Sequence, residues 1–268
     1  MSSSTIQVTS SNEVSVPGST SRLLFQMARR DIATLFRTPW IIISRSIAFI
    51  IQLFVFAYLI SQLVVSYPNY FGYYAVGAVV STVASISFII GYDIFEEAEE
   101  GLLDYLLTLP IPRREFIIGR ALGGAVRAMI YTIPMFVLVA VVENYANPIS
   151  ILAALLDLFL IAFGVTGLSI TVAVSVRSAN RFDVVLALLE LAVTRASTAL
   201  YPFVALPFYV QALAPFSPVS FAADSARQAL MKSSLDVLGL VGLAAFVVIF
   251  LGLGATFYFR RLEGGVYA

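Results

Sequence analysis

Residues 72–92, GYYAVGAVVSTVASISFIIGY, carry no charged side chain, and five other stretches of the chain are nearly as apolar. A helix rises about 1.5 Å per residue, so about 20 apolar residues reach across a hydrocarbon core. Six segments approach or exceed that length: 40–65, 72–92, 115–142, 151–176, 184–206 and 235–259. Across 268 residues, 60% are hydrophobic and only 12% charged, and the mean hydropathy is +0.93. The expected fold is an all-α integral membrane protein with six transmembrane helices, not a soluble domain with a large core. The connectors are unequal: 93–114 is long and charged, 207–234 is punctuated by Pro207, Pro215 and Pro218, and the others are short.

Net charge is zero, so the total points to no acidic or basic partner, but its distribution orients the chain. Arg22, Arg29, Arg30 and Arg37 precede the first span, Arg113, Arg114 and Arg120 flank the 93–114 connector, Arg177 and Arg181 follow the fourth span, and Arg260 and Arg261 follow the sixth. The opposite connectors hold only Arg227 and Lys232. Basic residues accumulate on the cytoplasmic side. Both termini and the 93–114 connector are therefore expected in the cytoplasm, and 207–234 outside.

Residues 1–18, rich in Ser and Thr and lacking a basic start or a compact apolar block, read as a disordered tail rather than a cleaved signal. Residues 19–39 read as an interfacial amphipathic helix. Leu24, Phe25, Met27, Ala28, Ile32, Leu35 and Phe36 fall on one side, and Arg22, Gln26, Arg29, Arg30 and Arg37 on the other. Residues 260–268 form a short cytoplasmic tail.

Five of the sixteen acidic residues lie between Glu96 and Asp104. Glu96, Glu97, Glu99 and Glu100 form an acidic turn, and Gly101 offsets the next helix from it. Leu102, Leu103, Leu106 and Leu107 recur there at helical spacing, and Pro110 ends that short helix before Arg113 and Arg114. Four glutamates would be repelled by an anionic leaflet. An acidic element with a leucine ridge suits docking of a cytoplasmic protein better than resting on lipid.

The chain has no cysteine and no histidine, which removes thiolate nucleophiles, disulfides, Cys/His zinc sites and the side chain best suited to proton transfer near neutral pH. A phosphate-binding loop of the form G-x-x-x-x-G-K-[ST] is absent, and the only lysine, Lys232, follows a methionine. The chain is expected to bind no cofactor by that motif, so any ATP hydrolysis belongs to another polypeptide.

Arg45, Arg127, Asp157, Glu190 and Arg195 fall within the expected spans, where each is costly unless paired or facing water. Depth along the helices suggests pairing Asp157 with Arg195 or Arg127, and Glu190 with Arg45. Interhelical ties are favoured over an ion relay, because both signs occur at matching depths. Gly119 and Gly123 form a GxxxG spacing that marks close helix packing.

The segment EEGLLDYLLTLPIPRREFIIGR, residues 99–120, resembles the region after the second span in permease subunits of ATP-binding-cassette (ABC) type-2 exporters. Glu100, Gly101, Leu106, Leu107, Pro110, Arg113, Gly119 and Arg120 match in order, with Leu102 where Thr is common and Arg120 in place of Lys. Residues 200–230, LYPFVALPFYVQALAPFSPVSFAADSARQAL, are similar to the same family's proline-rich end of the fifth span and its outer helix, through Pro202, Pro207, Pro215 and Arg227. The resemblance implies a half-transporter in the plasma membrane, paired with a second, identical or different, permease subunit. The loop 96–110 would be the coupling helix seated on a separate nucleotide-binding ATPase subunit, which would hold ATP and Mg. Glu97, Glu99, Glu100, Gly101, Leu103, Leu106, Leu107, Pro110 and Arg113 are the expected docking residues. No nucleic-acid partner is implied. A stand-alone ion-coupled secondary transporter or channel is the alternative, although spans one to three show no convincing repeat of four to six. An intramembrane enzyme ranks last, for want of a nucleophile and base.

Overall fold

The computed structural model describes residues 39–63, 69–101, 113–176 and 178–264, and within them every regular element is helical. Helices suit such apolar sequence because they satisfy their own backbone hydrogen bonds where no water is available. α1 (Pro39–Ile51) continues through a π-helical segment, Gln52–Ala57, into α2 (Tyr58–Leu63). Four longer elements follow: α3 (Tyr70–Glu99), α4 (Arg113–Val142), α5 (Pro148–Ser175) and α6 (Ala179–Arg195). The short α7 (Phe208–Leu213) lies between the 3-10 turns Phe203–Ala205 and Ala214–Phe216, and α8 (Pro218–Lys232) and α9 (Val237–Gly264) complete the chain.

The boundaries have local causes. Asn69 adopts a left-handed conformation, and its side chain accepts a hydrogen bond from the Gly72 amide at 3.2 Å, starting α3. Asn147 accepts from the Ile149 amide at 3.0 Å while Pro148 occupies the first turn of α5, where no amide hydrogen is needed. At the other end of α3, Gly101 takes a φ of +73° that an L side chain would resist. The polar end of the second expected span is thus helical through Glu99, and the break falls at Gly101.

Among the described residues four helical stretches are long and apolar enough to cross a membrane: Tyr70–Glu99, Ile117–Val142, Pro148–Ser175 and Val237–Phe257. They coincide with the second, third, fourth and sixth expected spans. The first expected span, 40–65, is divided between α1, the π segment and α2, with Ser46–Gln62 as its apolar part. The fifth, 184–206, is corrected: the helix stops at Arg195, after 17 residues or about 25 Å. The 19–38 part of the expected interfacial helix lies outside the described residues.

α3 is the central helix, with α4, α5, α6, α8 and the π segment around it, while α9 lies along α5 and also meets α8 and α4. Small residues permit these approaches. Gly164 faces Phe246, Gly167 faces Leu251, Gly254 faces Thr171, and Gly124 lies against Ile90 and Thr166. Gly119 and Gly123 are buried in α4.

Candidate functional site

Asp93 and Glu97 lie one turn apart on α3 and meet two arginines of the antiparallel α4. Arg127 Nη1 is 2.6 Å from Asp93 Oδ2, and Arg120 Nη2 is 3.1 Å from Glu97 Oε2. The Arg120 side chain is only 5% exposed, so its charge depends on partners the protein supplies. Two bridges at successive levels clamp the helices beside the 102–112 connector. Arg127 therefore belongs to Asp93, and the expected Arg127–Asp157 pair is corrected. In the sequence Asp93 reads as the mere start of a solvated stretch, although its spacing of about one turn from Glu97 places both on one helix face.

Glu97, expected at a docking surface, turns inward to α4, whereas Glu96, Glu99, Glu100 and Gly101 are exposed. Leu103, Leu106, Leu107 and Pro110 lie outside the described residues. Arg113 opens α4, but its side chain lies outside the described ones.

At the opposite end of α3, the chain after Arg195 abandons helical geometry deep in the protein. The Thr198 amide donates to Ser220 Oγ at 3.0 Å and the Ala199 amide to Ser197 Oγ at 3.3 Å. Tyr73 Oη donates to the Thr198 carbonyl at 2.7 Å and Tyr70 Oη to the Leu200 carbonyl at 3.0 Å. Ser217 Oγ caps the preceding turn at the Val193 carbonyl, at 2.8 Å. Side chains thus take over the backbone groups that a longer helix would have paired internally. Buried irregular backbone requires such partners. With these partners in place the fifth span can end its helix at Arg195.

Arg227 of α8 is the hub of this junction, 6% exposed. Its Nε donates to the Tyr73 carbonyl at 3.1 Å, Nη1 donates to the Thr198 carbonyl at 3.1 Å and to Asp224 Oδ1 at 2.9 Å, and Nη2 donates to the Ala199 carbonyl. The guanidinium also lies 3.5 Å from the Tyr73 ring centroid. Its flat fork joins three elements in a way an ammonium would not reproduce. Burial raises the Asp224 carboxyl above the usual carboxylate range, against the pull of Arg227 and of the Thr198 hydroxyl. In the α4–α5 connector, burial and then Glu143 push the Tyr145 phenol up to about 12.

Asp157 is 1% exposed and accepts a hydrogen bond from Ser225 Oγ at 3.0 Å, tying α5 to α8. No ion pair forms between Asp157 and Arg195, which corrects the other half of the expected pairing: Arg195, at the end of α6, is exposed and has no carboxylate partner among the described residues. Glu190 is half-buried and makes no ion pair among the described residues, and the Arg45 side chain of the suggested Glu190–Arg45 pair lies outside the described ones.

A cavity of about 220 Å³ lies between α1, the π segment, α3, α4, the last turn of α6 and the unwound chain that follows it. Gln52, Ser81, Thr82, Ser85, Thr194 and Arg195 supply its polar groups. Gln52 Nε2 donates to Tyr74 Oη at 3.3 Å, and Thr82 Oγ1 donates to the Ala78 carbonyl at 2.7 Å. Ser81 Oγ is buried without a hydrogen-bond partner. Ser81 lies 11 residues into α3, about 16 Å from its Tyr70 end. The cavity is therefore at membrane depth, flanked by two departures from α-helical geometry. No cysteine or histidine is present, and among the described residues no cluster of three acidic side chains could hold a metal.

No curated protein matches the chain at a significant level. The family model described as ABC-2 type transporter matches residues 22–231, well over half of the 268. The match takes in the α3–α4 clamp, the unwound end of α6 and the Arg227 hub, and with four helices able to cross a bilayer it places the chain in a membrane. The chain belongs to the ABC-2 type transporter family.

Proposed function

We propose that this chain is the membrane-spanning permease subunit of an ABC exporter in the plasma membrane, with both termini and the 93–114 connector cytoplasmic. It forms the translocation path with a second permease subunit and couples through residues 96–110 to a separate ATPase subunit, which carries ATP and Mg. The observation that carries this reading is the pair of ion bridges joining α3 to α4 beside that connector. A connector flanked by loose helices would absorb a push by bending. Clamped by Arg120–Glu97 and Arg127–Asp93, the two helices move together. α3 then carries displacement from Glu97 to Ser81 and Gly77, beside the cavity and the unwound segment. The exposed Glu99 and Glu100 at the tip of α3 remain free to meet a basic surface on the ATPase.

The clamp predicts a charge-swap result. Arg120→Glu places an acid beside Glu97, and Glu97→Arg places a base beside Arg120. Breaking a buried pair costs about 3–5 kcal/mol. Each single variant is expected to lower the thermal midpoint and to slow ATP hydrolysis by the assembled transporter at least about tenfold. The double swap restores both in large part. Unfolding midpoints and ATP turnover of the purified assembly measure this, and a double swap no better than the singles would contradict the clamp.

A further inference from the structure

We propose that the cavity beneath the unwound end of α6 binds the anionic headgroup of an amphipathic molecule whose tail stays in the bilayer. This rests on the transporter reading and adds a class of ligand to it. Three observations converge. Among the described residues no carboxylate lines the cavity, and the one charged lining residue is Arg195, which is exposed and has no acidic partner. Ser81 Oγ is buried without a partner, an unusual state for a hydroxyl at membrane depth and a donor available to an anion. Gln52 and Ser85 add polar groups on the same walls.

Size then decides what can enter. About 220 Å³ holds a phosphate- or carboxylate-sized group but falls below the roughly 300–1,000 Å³ of pockets that enclose a whole drug-sized ligand. The remainder of the molecule must lie outside, where Ile51 at the end of α1 and Phe54 and Val55 of the π segment are exposed and apolar. A free inorganic anion would meet the cation but would gain nothing from that apolar surround, and an organic cation would be repelled by Arg195. Another cavity has the opposite character. It is lined by Asp224 and Asp236 together with Phe203 and Phe221, and Asp224 is already bound to Arg227.

The test uses the purified full-length chain in an uncharged alkyl maltoside, titrated with dodecyl phosphate, dodecyl trimethylammonium or inorganic phosphate, with bound probe counted by native mass spectrometry. Dodecyl phosphate is expected to bind saturably, and the other two not to bind. Arg195→Gln should weaken dodecyl phosphate binding at least about tenfold, as expected for loss of a charge-assisted hydrogen bond. Arg195→Lys should retain part of the affinity. Ser81→Ala, which removes a hydroxyl without a partner among the described residues, should weaken binding several-fold without lowering the thermal midpoint. Lys232→Gln, on an exposed residue of α8 away from the cavity, should change nothing. Equal binding of inorganic phosphate or dodecyl trimethylammonium, or wild-type affinity in both Arg195→Gln and Ser81→Ala, would overturn the proposal. Co-purification of an ATPase subunit with the Arg195→Gln variant is measured in parallel. Loss of anion binding with that association intact supports the cavity assignment, whereas absence of an ATPase from the wild-type preparation counts against the coupling reading and not against the cavity.

Discussion

Arg227→Ala is expected to destroy the folded junction of α3, α6 and α8. The substitution removes a donor from the carbonyls of Tyr73, Thr198 and Ala199, of which Thr198 keeps the Tyr73 hydroxyl and Tyr73 its helical amide, and leaves Asp224 without its cation. Each hydrogen bond from a charged group contributes about 1.5–3 kcal/mol, and the Ala199 carbonyl left without a donor costs a further ~1–3 kcal/mol where no water replaces it. Against a net stability of about 5–15 kcal/mol, that is a large share. The variant should aggregate on solubilisation or lose most of its cooperative thermal transition. Arg227→Lys keeps the charge near Asp224 but lacks the planar set of donors, so its midpoint should fall between those of wild type and Arg227→Ala. Thermal unfolding with size-exclusion monodispersity checks the series. A monodisperse Arg227→Ala protein with a wild-type midpoint would show that the hub is dispensable.

The second large effect comes from the smallest residue at the same place. A Cβ on Gly77 would overlap the Ala199 carbonyl and the Arg227 guanidinium. Those atoms are bound to each other, so neither yields without breaking the hub. Overpacking a close contact costs about 1–3 kcal/mol, and occasionally more. Gly77→Ala is expected at the upper end of that range, and Gly77→Val should behave like Arg227→Ala. Gly252 in α9 supplies the comparison, because a Cβ there meets nothing within 4 Å. Gly252→Ala should be neutral or stabilising, since alanine is favoured over glycine in helices by about 1 kcal/mol. Combining Gly77→Ala with Arg227→Ala should cost less than the sum of the two, because both act on one junction. Full additivity in unfolding midpoints would indicate that they act separately.

Helix positions are legible where the sequence is almost entirely apolar, as in 72–92 and, Asp157 apart, in 151–176, because the bilayer leaves the backbone one economical conformation there. The fifth span is not. Its apolar run continues to Leu206, yet the structure ends the helix at Arg195. The cause lies in hydroxyls and an arginine far away in the chain, on Ser217, Ser220 and Arg227. Hydropathy carries no signal for partners that distant. Arg227 stands out in the sequence through resemblance and through its place on the arginine-poor side, whereas its burial and three of its four acceptors come from tertiary packing.

The intramembrane charges are visible in the sequence, but their partners are not. Depth along the helices brings Asp157, Arg127 and Arg195 to similar levels, while the rotation of each helix decides which groups meet. Rotation turns Arg127 toward Asp93 and Asp157 toward Ser225. The same rotation divides the acidic stretch. Glu97 faces α4, while Glu99 and Glu100 face outward, a distinction their uniform composition hides.

The proposed coupling requires a separate ATPase that reads the tip of α3 and the connector beyond it. Solubilising the tagged chain from native membranes in mild detergent and identifying the proteins that co-purify tests this. The prediction is a stoichiometric soluble chain bearing a phosphate-binding loop. It should be lost when Glu99, Glu100 and Leu103 are replaced together, while Glu97 is kept so that the clamp to Arg120 stays whole. Recovery of the intact permease without any such ATPase under several mild detergents, or an ATPase equally retained by the triple variant, would contradict it.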